Sequence, residues 1–253
     1  MNKDFERVYH EVEAAHWWFV SRRKLVKELV CRAAPDRAAR ILEIGCSGGP
    51  LLQQLREAGY VNLTGIDISS EAIALCRQRK LGDVAVMDAQ QPDLPPASFD
   101  VITASDVLEH LADAPRALAA WHRLLRPGGT VIIFVPAFQF LWSGHDEVNQ
   151  HFRRYRTDEL ASLARTAGFE IQRQGYWNFF LFPPVAIVRC ARRLLGTTKK
   201  PDGDIKPVPT PLNALLIVLL RLENRLILAG LNFPWGVSAM VVARKPADRQ
   251  VSV

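Results

Sequence analysis

The sequence predicts an α/β fold, a mostly parallel sheet with helices on both faces. Two observations carry this. From Arg40 to Gln174, short apolar runs alternate with helical segments, and strands alternating with helices form βαβ units whose strands lie parallel. The first apolar run also leads through a glycine-rich turn into a helix, Ile41-Leu42-Glu43-Ile44-Gly45-Cys46-Ser47-Gly48-Gly49-Pro50. Glycines there permit a tight turn and close approach of a ligand to the helix N-terminus.

The elements follow in order. Residues 2–38 read as helical, with apolar and basic residues at helical spacing from Phe19 to Ala34 and Pro35-Asp36 as the stop. Arg40–Ile44 is the first strand, followed by a helix to about Ala58. Asn62–Asp67 is the second strand, and a helix from about Ser70 carries Glu71 in its first turn. Asp83–Met87, Phe99–Ala104 and Thr130–Val135 are further strands. Asp113 and Pro115 open the helix between the last two, and Pro127-Gly128-Gly129 closes it. Thr157 starts another helix, Gly168 ends it, and Phe169–Gln174 is a strand.

After Tyr176 the alternation stops. Gly175–Val188 holds no charged residue, residues 197–211 are polar and proline-rich, and Leu212–Leu231 is a second apolar helix interrupted by Arg221, Glu223, Asn224 and Arg225. Val237–Arg244 is a last strand. The division is therefore an N-terminal helical segment (1–38), a core (39–175), an apolar and basic helical insert or cap (176–236), and a final strand and tail (237–253). Neither apolar run reaches the ~18–20 uncharged residues of a spanning helix.

Composition narrows the classes. The chain has 253 residues, 49% hydrophobic and 23% charged, an ordinary globular balance that excludes disorder, collagen and a disulfide-stapled miniprotein. Cys31, Cys46, Cys76 and Cys190 are scattered without C-x-x-C, which fits a reducing compartment and argues against a zinc site. The charged N-terminus does not read as a signal peptide. The expected location is the cytoplasm, at the inner face of the membrane if the insert touches lipid. The net charge is +6, yet residues 1–175 hold 21 Lys and Arg against 22 Asp and Glu, while residues 176–253 hold 11 against 4. A near-neutral core argues against nucleic acid, which normally selects a basic track. Basic residues flanking apolar runs suit contact with an anionic membrane surface instead.

Asp67 ends the second strand about twenty residues after the glycine turn, the position that meets a ribose in doubly wound folds. With that, the sequence resembles the class I S-adenosylmethionine-dependent methyltransferases. Glu43 followed by Gly45, Ser47 and Gly49 is similar to their acidic residue and G-x-G-x-G, with Ser47 at the middle glycine. Gly65-Ile66-Asp67-Ile68 matches their second strand end, Met87-Asp88-Ala89 the third, Phe99–His110 the fourth strand and its loop, and Leu125–Gly129 the approach to the fifth. The resemblance implies a Rossmann-like, seven-stranded sheet and S-adenosyl-L-methionine as cofactor, with Asp67 at the ribose and Asp88 at the adenine amino group. Its cofactor-binding set maps onto Arg23, Glu43, Gly45, Cys46, Ser47, Gly49, Asp67, Ile68, Asp88, Ala89 and Ser105.

His16-Trp17-Trp18-Phe19, Leu141–Asp146 and His151–Tyr155 are similar to a bacterial small-molecule subgroup that includes the ubiquinone-pathway O-methyltransferases. That likeness implies an arginine, Arg22 or Arg23, at the cofactor carboxylate. It also points to a divalent-metal motif E-x-x-E-H, which reads Asp106, Glu109 and His110 here. A loop-capping network, a catalytic base and a metal site compete for that trio, the network being the plainer reading, and no metal ligand is assigned. Removing a proton from a hydroxyl acceptor needs a base near neutrality, and His110, His145 and His151 are the candidates. Arg153 and Arg154 suit either an anion or a salt bridge to Asp146 or Glu147. The expected function is methyl transfer to oxygen or carbon of a small or lipid-linked acceptor. The competing expectation is a cofactor-binding protein without catalysis that works through its insert.

Overall fold

The computed structural model describes residue 13 and residues 15–194 and 208–247. Expectations for residues 1–12, 14, 195–207 and 248–253 lie outside these. A seven-stranded sheet runs through the chain in the order β3-β2-β1-β4-β5-β7-β6. The strands are β1 (Arg40–Ile44), β2 (Asn62–Asp67), β3 (Asp83–Val86), β4 (Phe99–Ser105), β5 (Leu125–Pro136), β6 (Glu170–Trp177) and β7 (Ser238–Arg244). The first five are parallel, and β7 is antiparallel to both neighbours. The chain moves outward one way through β1, β2 and β3 and the other way from β4. The crevice beyond the carboxyl ends of β1 and β4 is thus the reversal point where such sheets take ligands.

The helices are α1 (Trp17–Ala33), α2 (Pro50–Glu57), α3 (Ser70–Gln78), α4 (Ala114–Leu124), α5 (Gly144–Val148), α6 (Thr157–Thr166), α7 (Phe182–Leu194) and α8 (Thr210–Leu228). Each face of the sheet buries its own apolar layer. Leu42, Ile44, Ile102 and Ile133 pack with Leu118 and Trp121 of α4 and Leu160 of α6. On the other face Ile41, Val101, Ile132 and Phe134 pack with Leu25, Val26 and Val30 of α1, Leu52 and Leu55 of α2, and Leu220 and Ile227 of α8. Strands buried on both faces read as continuous apolar runs, the pattern of a parallel sheet.

The structure revises several boundaries. The sequence places Pro127-Gly128-Gly129 as a helix stop, but β5 already begins at Leu125. Leu125 pairs with Phe99 across a register shift, and Gly128 N–H donates to Lys245 O at 2.9 Å. The uncharged run 175–188 is not one helix. Its start completes β6, where Tyr176 and Trp177 are buried, Asn178 turns with φ +63°, and α7 begins only at Phe182. The polar residues of the last helix do not interrupt it. Glu223 and Asn224 are buried on the face α8 turns inward. Glu223 accepts the Phe179 N–H at 3.0 Å and also those of Asn178 and Phe180. Asn224 accepts from Trp177 Nε1 at 2.9 Å and donates to Ser21 O at 2.8 Å. A helix with buried polar groups on one side is continuous when each group finds a partner.

Candidate active site

The glycine turn sits at the end of β1 against β2. Gly45 and Cys46 N–H groups both donate to Ile66 O. Gly45 has φ +72°, and a Cβ there would meet Val107 Cγ2 at 2.4 Å, so both backbone angle and packing select glycine. Ser47 holds the same left-handed region at φ +50°, where the related motif has glycine. Its Oγ pairs with Glu13 Oε2 at 3.0 Å. Gly49, φ +81°, caps α2 ahead of Pro50. The Asp67 carboxylate accepts from Ser47 N–H and Ser69 N–H, each at 2.9 Å, tying the second strand end to the turn. Beside it Ile68 exposes 75% of its surface, an apolar side chain left open at the ligand edge. Asp88 accepts the Gln90 N–H, and Ala89 O accepts from Trp121 Nε1 at 2.8 Å.

Glu43 is buried at the end of β1 with Oε2 unpartnered. Burial foremost, then the Glu13 charge, pushes its carboxyl well above the ordinary range, while nearby Arg23 opposes the rise. Arg23 Nη1 donates to Glu13 O at 2.8 Å. The Cys46 side chain points away from this edge into the core, buried next to Cys76. Ser105 ends β4 with its hydroxyl buried and without a hydrogen-bond partner. Sequence reasoning missed Glu13, since one acidic residue in a charged N-terminal segment carries no periodic signal.

A separate cavity of about 460 Å³ opens beyond β4 and β5. Trp17 and Phe19 from the start of α1 and Val185 and Val188 from α7 give it apolar walls, and His110, His145 and His151 line it from the loops after β4 and β5. The His110 and His151 rings meet edge to face at 4.6 Å, and His145 and His151 at 6.0 Å. The structure thus brings all three sequence-selected histidines to one cavity. His110 is accessible to it, yet the surrounding protein desolvates the ring and, with His151, lowers its pKa to about 4.

Asp146 and Arg154 lie beneath this floor. Asp146 is fully buried, bonded by Arg154 Nε at 2.8 Å and Nη2 at 2.9 Å, and lies 2.8 Å from His151 Nδ1. Burial alone would raise the Asp146 carboxyl, but the hydrogen bonds from His151 and Arg154 and the Arg154 charge hold it well below the ordinary carboxylate range. Of the two arginines, Arg154 is therefore the buried salt-bridge partner of Asp146, while Arg153 reaches Glu159 at 3.9 Å on the surface.

Arg22 is buried among the rings of Trp18, Phe134 and Trp177, with its guanidinium 4.2 Å from the Trp177 centroid. Its Nη2 donates to Ser238 Oγ, and Nη1 lies 3.6 Å from Asp106. Among the described residues the donor atoms that approach within 4.8 Å of one another belong to Glu109, His110 and His151, not to the Asp106–Glu109–His110 trio. Burial, then the Asp106 charge, holds the Glu109 carboxyl well above its ordinary range, which favours the uncharged acid. The Asp106–Glu109–His110 trio does not converge as the motif's ligand set.

Comparison with known proteins identifies the scaffold. Residues 5–174 match the family model described as a methyltransferase domain. Over 152 residues the chain is 32% identical to the ubiquinone biosynthesis O-methyltransferase of Pseudomonas aeruginosa, a match covering 53% of this chain and 65% of the relative. It is 33% identical over 168 residues to O-methyltransferase rstn1 of Aspergillus nomiae, covering 60% and 73%. The structure resembles an S-adenosylmethionine-dependent methyltransferase from Mesorhizobium loti (TM-score 0.55, 18% identity, 82% and 91% of the two chains). It also resembles phosphoethanolamine N-methyltransferase 2 of Haemonchus contortus, solved with S-adenosyl-L-methionine (TM-score 0.56, 20% identity, 86% and 51%). The family match over most of the core, joined to the sheet order and the glycine turn, shows that the chain belongs to the class I S-adenosylmethionine-dependent methyltransferases.

Proposed function

We propose that the chain transfers a methyl group from S-adenosyl-L-methionine to a hydroxyl oxygen of a small or lipid-linked acceptor seated in the histidine-lined cavity. The observation that carries this is the convergence of His110, His145 and His151 on one mostly apolar cavity at the carboxyl edge of β4 and β5. Relatives named O-methyltransferases support oxygen as the acceptor atom. The bound cofactor supplies an electrophilic methyl group on a sulfonium whose leaving group is neutral. The protein supplies alignment, which contributes on the order of 7–11 kcal/mol, and a base for the hydroxyl proton. Arg23 and Glu43, adjacent and oppositely charged in type, suit the carboxylate and ammonium of the cofactor's amino-acid end. An arriving ammonium would return Glu43 to its ionised form. Asp67 takes the ribose hydroxyls, and Asp88 and Ala89 the adenine edge. Ile68 packs on the adenine face, with the backbone of Gly45–Gly49 and Ser105 lining the rest.

The insert supports an apolar or lipid-linked acceptor. α7 lines the cavity through Val185 and Val188, yet it has no buried residue and exposes Ile187 and Leu194. α8 exposes Leu212, Leu215, Val218 and Leu222 along one stripe at helical spacing. Among the described residues no helix is long and apolar enough to cross a membrane. An apolar stripe on the helix that carries the exposed Arg221 and Arg225 fits the headgroup boundary, where each base adds about 1 kcal/mol near anionic lipid.

Methyl-labelled S-adenosylmethionine, the full chain and a fractionated bacterial extract test the reading, with label followed in lipid and aqueous phases. Label in an alkali-stable ether of the lipid phase is expected. Label only on nitrogen or carbon contradicts it, and label only in water-soluble ethers confines the acceptor to the small class. Flotation with anionic vesicles, strong at low salt and lost at high salt, is the expected result for the insert. No flotation at low salt leaves α7 and α8 as a cap over the cavity.

A further inference from the structure

We infer that Asp146 is a positioning residue for methyl transfer: clamped by Arg154, it holds His151 with its proton on Nδ1, so that a bare Nε2 is left for the acceptor hydroxyl. The inference rests on the oxygen-acceptor reading above and deepens it, because it names the group that takes the proton and the device that keeps it ready.

The geometry leaves the His151 ring little choice. Both Asp146 oxygens are engaged, Oδ1 by Arg154 Nε and His151 Nδ1, Oδ2 by Arg154 Nη2 and by Ser143 N–H at 2.8 Å. An ionised carboxylate is acceptor-only, so a nitrogen held 2.8 Å from it carries the hydrogen. In a neutral imidazole the other nitrogen is then unprotonated. The clamp is itself anchored. Arg154 Nη1 donates to Ala137 O at 3.1 Å, just beyond the end of β5, and Arg154 N–H donates to Gln139 Oε1 at 3.1 Å. His151 N–H donates to Asp146 O at 2.9 Å, closing the loop on itself. The ring is thereby referenced to the sheet rather than to a surface loop.

A buried ion pair adds little net stability, because desolvation cancels much of the Coulomb gain. What this one provides is orientation of the ring above it. The charged and titratable groups around His151 are Asp146 and Arg154 below it and Glu109, His110 and His145 around the cavity, which Asp106, Arg189 and Arg192 also line. His110 stays neutral beside it, so its ring sets no positive charge against proton uptake. In the reaction the acceptor hydroxyl gives its proton to His151 Nε2, and its oxygen lone pair forms the bond to the methyl carbon. The carbon–sulfur electrons return to sulfur, leaving a neutral thioether. The imidazolium so formed is stabilised by the Asp146 charge and later passes its proton to water.

The test is nitrogen NMR of the full chain labelled in its histidine rings, near neutral pH with S-adenosylhomocysteine, the His151 signal being assigned by its loss in His151→Gln. A proton on Nδ1 and a bare Nε2 are expected in the unaltered chain. In Asp146→Asn the amide can donate to Nδ1 and impose the opposite tautomer. On para-alkylphenols the same variant lowers kcat by about tenfold or more with KM nearly unchanged, and the deficit shrinks with more acidic phenols. A proton on Nε2 in the unaltered chain overturns the proposal. So does full activity in folded Asp146→Asn, or magnesium ions that shift the His151 resonance and are reversed by chelator, since Nε2 would then be a ligand. Should Asp146→Asn fail to fold, the spectrum of the unaltered chain decides. The tautomer is read without acceptor. A chain that methylates no hydroxyl therefore refutes the acceptor reading alone, and turnover with a protonated Nε2 refutes the positioning role alone.

Discussion

The crevice has two halves built by different means. On the β1–β3 side most of the proposed cofactor contacts lie within a few residues of a strand end, and the glycine turn, Asp67 and Asp88 follow the ends of three consecutive strands. On the β4–β7 side the cavity draws His110 from one loop, His145 and His151 from another, Trp17 from the N-terminal helix and Val185 from the insert. The first half is held by backbone hydrogen bonds such as Gly45 N–H and Cys46 N–H to Ile66 O. The second is held by buried side-chain pairs, Asp146 with Arg154 and Asn224 with Trp177. Local backbone geometry suits a cofactor whose shape is constant across a family. Long-range side-chain contacts can be exchanged to suit a particular acceptor.

The largest expected effect is on the second half. Arg154→Met leaves the Asp146 charge buried and unpaired and costs about 3–5 kcal/mol, measured by urea unfolding. The double variant Arg154→Met, Asp146→Leu recovers most of that loss, because apolar replacements of a buried pair are often neutral. It remains inactive towards hydroxyl acceptors if orientation of His151 is what the pair provides. Asn224→Ala comes next. It strands Trp177 Nε1 and Ser21 O and costs about 1–3 kcal/mol, read from the urea midpoint with the slope unchanged.

A pH dependence should accompany these losses. The folded-state pKa of His110 is lowered from 6.5 to about 4. Between those values the unfolded chain binds more protons than the folded one, so stability is complete above 6.5 and is lost as pH falls towards 4. His110→Gln flattens that part of the curve. A slope of the same size in His110→Gln assigns it to another group.

The same contrast explains what was legible beforehand. Strand periodicity and the glycine turn are short-range signals, so the seven strands and the positions of Gly45, Gly49 and Asp67 could be read directly, whereas Glu43 and Asp88 were marked by the family resemblance. The three histidines could be selected by loop position, since loops at the carboxyl edge carry function. Their convergence could not, because it depends on how the loop 137–156 folds back under α7. Glu223 and Asn224 looked like breaks in an apolar helix, because a buried polar partner forty-five residues upstream leaves no local trace. The division of 175–188 between strand and helix was hidden for a related reason: an uncharged aromatic run satisfies either period.

Titration of S-adenosylhomocysteine into the unaltered chain, Asp67→Ala and His151→Ala tests the two-half division most directly. Asp67→Ala removes a charge-assisted hydrogen bond and should weaken binding by about 1.5–3 kcal/mol, whereas His151→Ala should leave affinity within about twofold while abolishing methyl transfer. Equal losses of affinity in both variants, or none in Asp67→Ala, would contradict the account.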